Sequence, residues 1–171
     1  MKRFLLLFLI VSAPVFGQSN RDGRSPVDDG WRKSSGNLEV TLVLTDEPQK
    51  VMADWKKPEP PVIKDTSVAT RGKPIVAFII FTGCAEVQGR CKAEVDYVVL
   101  KPDGSTYATE SSVSLWKYQA PPTGKLQLSE GYLGVIIEPQ DPAGTYQVQA
   151  TVRDLNANLD VVMYRSFVVE R

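Results

Sequence analysis

The chain has 171 residues, and its 20 basic side chains balance its 20 acidic ones. This length allows one domain with an appendage, and a hydrophobic content of 43% is typical of a globular protein rather than a disordered one. The absence of histidine removes the commonest catalytic base and metal ligand. A balanced charge disfavours a nucleic-acid binder, which needs a basic surface to neutralise phosphates.

The N-terminus has the three parts of an export signal. Residues 1–3 (Met-Lys-Arg) are positively charged, residues 4–11 are continuously apolar, and residues 15–17 (Val-Phe-Gly) are compact. The apolar run is about half the ~20 residues that span a bilayer. We therefore predict a signal peptide over residues 1–17, cut near Gly17/Gln18, and a periplasmic or secreted protein that does not span the membrane.

The two cysteines are interpreted from that compartment. Cys84 and Cys91 are separated by six residues, and two cysteines in a small exported domain usually pair. A redox-active pair normally has the tighter Cys-x-x-Cys spacing. A zinc site needs about four nitrogen or sulfur ligands, which two cysteines without histidine cannot supply. The sequence favours a structural disulfide between Cys84 and Cys91.

The segment before the main strands divides into two parts. Residues 18–36 hold few large apolar side chains and are predicted to be a flexible N-terminal arm. Residues 37–61 contain a first strand with alternating apolar residues at 38–44, then a short helix within 45–55, and then a Pro-rich linker. Each proline disfavours helix at the residue before it, so we expect the linker to be extended. We also expect it to cross from one sheet to the other.

Residues 62–171 are predicted to form the main β-structure. Residues 75–81 are a continuous apolar run typical of a central buried strand, and residues 91–99 alternate between apolar and polar side chains. Further strands are predicted at 145–153 and 161–169, with turn residues between them. The pattern predicts an all-β fold, an antiparallel β-sandwich of seven or eight strands with a short helix near its N-terminal side.

Two stretches resemble a known type of domain. Residues 141–148 (DPAGTYQV) resemble the turn and penultimate strand of immunoglobulin-like, fibronectin III-like and macroglobulin-like domains, and residues 95–104 (VDYVVLKPDG) are similar to a strand and turn of bacterial exported modules of this kind. The resemblance implies an immunoglobulin-like sandwich in which Tyr146 is the structural tyrosine of the corner. It names no specific family and implies no activity.

The sequence offers little for catalysis or for cofactors. Without histidine there is no Ser-His or Cys-His arrangement, and no Gly-rich loop leads into a helix. Asp141, Asp154 and Asp160 are the candidates for a calcium site at one end of the sandwich, but their spacing matches no calcium loop. We therefore expect no catalytic residue, no metal, no cofactor, no nucleic-acid partner and no enzymatic activity.

Binding is the remaining class of function. In the strand around residues 113–118, an inward-facing Val113 and Leu115 would turn Trp116 and Tyr118 outward. The first hypothesis is a non-catalytic binding or accessory module that contacts another envelope or secreted protein, with an exposed strand edge as one means of contact. The alternative is a carbohydrate-binding module in which Trp116 and Tyr118 stack on a glycan.

Overall fold

A computed structural model describes residues 29–59 and 61–171 of the protein. The predicted signal peptide, 1–17, and residues 18–28 of the predicted arm lie outside the described residues. The elements in chain order are β1 (Arg32–Ser35), β2 (Leu38–Thr45), α1 (Pro48–Asp54), β3 (Val68–Ala69), β4 (Pro74–Thr82), β5 (Ala93–Leu100), β6 (Thr106–Trp116), β7 (Gln127–Leu128), β8 (Leu133–Ile136), β9 (Gly144–Asp154) and β10 (Leu159–Val169).

The strands form two sheets, which confirms the prediction of an all-β fold with one short helix. In the first sheet β1, β2, β4 and β7 are neighbours in that order, and β8 also pairs with β4. In the second sheet the order is β3, β10, β9, β5 and β6. Ten strands are described where seven or eight were predicted, and β3 runs parallel to β10, so the structure is not wholly antiparallel.

The hydrophobic core lies between the sheets and follows the alternation of the sequence. One side chain in two along the strands points inward, and the largest fully buried ones include Tyr97, Tyr146, Phe81 and Phe167. The Tyr146 ring stacks on Phe167 at 5.4 Å between centroids. Successive side chains of a strand point to opposite faces, so this regular burial fixes the register of β5, β9 and β10.

The outer face of the first sheet has a smaller apolar cluster of its own. Val76 and Phe78 of β4 are buried there against Val51 of α1. The helix begins with Pro48 in its first turn, where a missing backbone N–H has no cost. After α1 the chain passes from the first sheet, which contains β2, to the second sheet, which contains β3.

The N-terminal part of the domain differs from the prediction. Residues 32–35, placed by the sequence in a flexible arm, form β1 and pair with β2 across a two-residue turn at Gly36-Asn37. The carbonyl of Gly30 also accepts a hydrogen bond from Tyr164 of β10 at 2.8 Å. These backbone bonds hold the segment in place, and composition alone does not reveal them.

Candidate functional site

A cleft of about 1100 Å³ lies at one end of the domain. Its lining comes from four segments, namely the β1–β2 hairpin, residues 80–86 at the end of β4 and the start of the disulfide loop, residues 120–126, and the β9–β10 turn. Ligand pockets for small molecules usually enclose about 300–1000 Å³, so this space suits a ligand at or above the upper end of that range.

The floor of the cleft is the outer face of the first sheet near its end. The inner side chains of β2 are in the core, so Glu39 and Thr41 point to the outer face. Residues directly opposite each other in an antiparallel pair share a face, and this places two rows of side chains across the floor. The rows are Arg32–Thr41–Ile80 and Ser34–Glu39–Thr82.

The disulfide loop forms one wall. Cys84 and Cys91 are bonded, as predicted, with their Cα atoms 6.0 Å apart. Gln88 and Gly89 both have positive φ angles, which is the two-residue turn that closes a tight hairpin. The loop is also held to the neighbouring wall, because Ala120 donates a backbone hydrogen bond to Gly89 at 3.0 Å.

A buried carboxylate joins the disulfide loop to the β9–β10 turn. Asp154 is 2% exposed, and its two oxygens accept backbone N–H groups from Ala85 at 2.6 Å, Asn156 at 3.0 Å and Ala157 at 3.2 Å. The side-chain amide of Asn156 then donates to the carbonyls of Ala85 and Arg90, both at 2.9 Å. These bonds hold two walls of the cleft in a fixed relation to each other.

Gly83 allows the β1–β2 hairpin to pack closely at the edge of the cleft. A Cβ atom at Gly83 would lie 1.8 Å from the carbonyl oxygen of Asn37, far inside any real contact. Gly83 also has a φ of +76°, a conformation that residues with a side chain adopt at a cost. The β1–β2 turn therefore packs directly on the backbone of Gly83.

Trp116 and Tyr118 do not form the outward pair that was considered from the sequence. Trp116 is opposite the inward-facing Ala93, while Ser114 is opposite Glu94, so one extra residue bulges the strand between them. The bulge turns Trp116 inward, where its ring meets Phe81 at 5.8 Å between centroids and its Nε1 donates to the carbonyl of Gln119 at 2.9 Å. The indole is half-buried and its N–H is already bonded.

Tyr118 remains at the surface and is 47% exposed. Its hydroxyl donates to Glu130 Oε1 at 2.6 Å, and this bond lowers the pKa of the Glu130 carboxyl and raises the pKa of the Tyr118 phenol. The ring meets Trp116 edge-on, at 90° between planes. A single exposed ring with its hydroxyl engaged offers less stacking surface than the predicted pair.

The opposite end of the domain is closed by side chains bonded to backbone. Tyr146 is buried and its hydroxyl donates to the carbonyl of Pro142 at 3.0 Å. Arg71 donates to the carbonyls of Glu138 at 2.8 Å and Asp141 at 2.9 Å. Tyr107 donates to Asp141 Oδ2 at 2.7 Å.

The aspartates considered for calcium do not come together. Asp141 precedes β9 and Asp154 ends it, and 11 residues of strand extend over about 36 Å. No group of three or more acidic, cysteine or histidine side chains that could hold a metal ion is present in residues 29–59 and 61–171. Within the same ranges, no helix is long and apolar enough to cross a membrane.

Strand edges were the other predicted means of contact, and β6 is the long edge strand of the second sheet. Its pairing with β5 is irregular at three places, and the N–H of Ser112, at a φ of +54°, bonds to the Asp96 carboxylate at 2.7 Å. The carbonyls of Ser114 and Leu115 are already taken by residues 130–131. Bulges and covered groups are how proteins prevent an edge from pairing with another chain, so β6 is a poor template for an added strand.

No family model matches the chain, and no curated protein matches it. Among solved structures it is similar to the alkylpurine DNA glycosylase AlkC of Pseudomonas fluorescens bound to DNA with an abasic site analog, at 15% identity and a TM-score of 0.44, over 79% of this chain and 31% of that one. It is also similar to a family 123 glycoside hydrolase of Clostridium perfringens, at 12% identity and a TM-score of 0.47, over 77% of this chain and 27% of that one.

The chain therefore spans less than a third of the length of either structure. Both structures are of enzymes, which overturns the sequence-based prediction that this chain is not an enzyme. With TM-scores below 0.5 and identities of 15% or less, the two likenesses assign no activity, substrate or nucleic-acid partner to it.

The cleft was not predicted from the sequence. Its lining residues come from segments more than 100 positions apart, and hydroxyl-bearing or charged side chains in such segments have the composition of ordinary surface. One signal was available, since Gly-Asn between two short runs is a known hairpin turn and would have predicted the β1–β2 hairpin from Gly36-Asn37.

Proposed function

We propose that the protein is an exported immunoglobulin-like binding module that holds an extended polypeptide segment of an envelope or secreted partner protein in the cleft. The observation that carries the proposal is the cleft itself, with a volume of about 1100 Å³ and walls fixed by a disulfide and by the Asp154 network. Fixed walls reduce the entropy that a binding site loses when a ligand orders it.

The chemistry of the lining favours a polypeptide over other ligands. Arg32 and Lys33 are offset by Glu39 and Glu86, so the cleft lacks the excess of positive charge that phosphate backbones require. None of the described residues that line it is aromatic, whereas glycan sites usually stack a sugar ring on an aromatic face. Hydroxyl groups beside apolar side chains such as Ile80 suit a chain that carries both amides and side chains.

Export supports the same proposal. The charged start, the apolar run and the compact residues before Gln18 have the pattern of a cleaved signal, and the disulfide is stable in an oxidising compartment. A fusion of residues 1–28 to a reporter that is active only outside the cytoplasm tests this part. We expect reporter activity together with a mature N-terminus at Gln18, and a reporter that stays inactive would contradict export.

Site-specific photo-crosslinking tests the binding site. A photoreactive benzoylphenylalanine replaces Thr123, an exposed residue of the cleft wall, and in a matched variant it replaces Thr145, an exposed residue at the far end of the domain. We expect one recurrent protein adduct at Thr123 in the native envelope and none at Thr145. Equal labelling from both positions, or from neither, would contradict binding in the cleft.

The glycan alternative is tested in parallel through Tyr118. Tyr118→Ala removes the one exposed ring of the Trp116–Tyr118 pair. Binding to a glycan panel that is lost in this variant and unchanged in the Thr123 variants would favour a carbohydrate-binding module at that surface over a polypeptide in the cleft.

A further inference from the structure

Thr82 is a buried polar residue that the fold itself does not use. It lies at the end of β4, is 8% exposed, and its hydroxyl has no hydrogen-bond partner among residues 29–59 and 61–171. A buried hydroxyl that has given up water without gaining another partner costs free energy. Valine has nearly the same shape without that cost, so the hydroxyl at this position calls for a physical explanation.

The position of Thr82 supplies the explanation. It lines the cleft on the outer face of the first sheet, in the row that it shares with Ser34 and Glu39. The floor beside it also includes Thr41 and Ile80, which lie in the next row. The hydroxyl oxygen is itself covered, but the residue lines the cleft and lies on the opposite face of the sheet from the interior that the two sheets enclose.

Tyr97 provides the internal comparison. Its hydroxyl is the other buried side-chain group without a partner in the described part of the chain, and the ring is fully buried between the sheets. Tyr97 does not line the cleft, and burial alone raises the pKa of its phenol. Both hydroxyl oxygens are covered, but only Thr82 is a residue of the cleft lining, and this is the difference that matters for binding.

We propose that Thr82 is the polar anchor of the cleft, and that its hydroxyl hydrogen-bonds a backbone amide or carbonyl of the bound polypeptide segment. The inference rests on the proposed function. A hydroxyl both donates and accepts, so it can pair with either group of a peptide unit. Rotation about χ1 between staggered positions turns the oxygen from its buried site toward the ligand.

The experiment uses a phage-displayed library of random dodecapeptides, selected on the full mature chain. Peptides that bind the wild type are re-tested on Thr123→Trp, which fills the cleft from its rim, and then on Thr82→Val, Thr82→Ser and Tyr97→Phe. We expect Thr123→Trp to abolish binding and Thr82→Val to weaken it by about tenfold or more, the usual effect of a lost buried hydrogen bond. Thr82→Ser keeps the hydroxyl and should bind like the wild type, as should Tyr97→Phe.

The outcomes separate this inference from the proposed function. Peptides lost in Thr123→Trp but unaffected by Thr82→Val would overturn the anchor and leave the cleft as a binding site. A library that yields no peptide sensitive to Thr123→Trp would overturn both. The melting temperature gives a second test, because Thr82→Val should be at least as stable as the wild type, and a clear loss would mean that the hydroxyl is bonded within the fold.

Discussion

Side-chain hydrogen bonds to the backbone hold both ends of the domain, but one end has an open cleft and the other is closed. At the cleft end, Asp154 and Asn156 bond the backbone of two loops and leave an open space between the walls. At the opposite end, Arg71, Tyr107 and Tyr146 bond backbone carbonyls and close the sandwich. These hydrogen bonds thus stiffen both ends. The cleft end differs in that it also contains the unpaired hydroxyl of Thr82.

The comparison suggests a division of roles. An end that only has to be stable pairs its polar groups internally, as Tyr107 does with Asp141 and with the carbonyl of Ile136. Under the proposed function, the cleft end retains a polar group whose partner arrives with the ligand. Variants at each end should therefore separate stability from binding.

The largest effect is expected at Asp154. Asp154→Ala leaves the N–H groups of Ala85, Asn156 and Ala157 without their acceptor, and we expect the free energy of unfolding to fall by about 3 kcal/mol or more. Urea unfolding measures the change. Asp103→Ala is the control, because Asp103 also accepts a backbone N–H but lies exposed in a turn, and it should cost less than about 1 kcal/mol.

Asp154→Asn keeps one acceptor oxygen, so its loss of unfolding free energy should be smaller than that of Asp154→Ala. It replaces the alanine variant if that variant fails to fold. Equal losses from Asp154→Ala and Asp103→Ala would show that the buried network adds nothing to the cleft end. That result would mean that buried side-chain hydrogen bonds do not stabilise the cleft end.

A smaller loss is expected where the hairpin meets the cleft. Gly83 and Gly124 both have a φ of +76°, but a Cβ at Gly83 would strike the Asn37 carbonyl, while one at Gly124 would meet nothing within 4 Å. Both alanine variants therefore have the same backbone strain, about 1–2 kcal/mol, and only Gly83→Ala must also displace the hairpin. We expect Gly83→Ala to be the less stable by at least about 1 kcal/mol in thermal or urea unfolding. Identical melting curves would mean that the hairpin does not pack on Gly83.

Alternation in the sequence predicted the strands that form the core, and it could not predict features decided by pairing. The strands β2, β5, β9 and β10 were predicted from alternating apolar residues, and β4 was predicted from its continuous apolar run, most of which is buried. The register of β6 was not predicted, because the extra residue at the bulge beside Leu115 reverses the face of Trp116 and leaves the alternation earlier in the strand unchanged. The two-residue strands β3 and β7 are likewise defined by their partners alone.

At the closed end, the expected effect depends on pH. The Tyr107 hydroxyl, followed by the N–H of Glu138, lowers the pKa of Asp141. A carboxyl with a lowered pKa contributes its full stabilisation above its unfolded pKa, about 4, and the stabilisation is lost as the pH falls through the folded pKa. Asp141→Asn and Tyr107→Phe should therefore both flatten the loss of stability on acidification from pH 5 to pH 2. Unfolding curves at several pH values measure this, and a slope equal to that of the wild type would place the acid sensitivity elsewhere.

The smallest effect is expected to be a gain in stability, in the core between the two ends. Tyr97→Phe removes a buried hydroxyl that has no partner in the described ranges, and it keeps the ring that fills the space between the sheets. Because the unpaired group loses its hydration on folding, we expect the variant to be more stable by about 1 kcal/mol, measured by thermal unfolding. A loss of similar size would mean that the hydroxyl bonds a buried water molecule. Since Tyr97 is remote from the cleft, peptide binding should be unchanged in either case, and this separates the cost of an unused hydroxyl from the function of the one at Thr82.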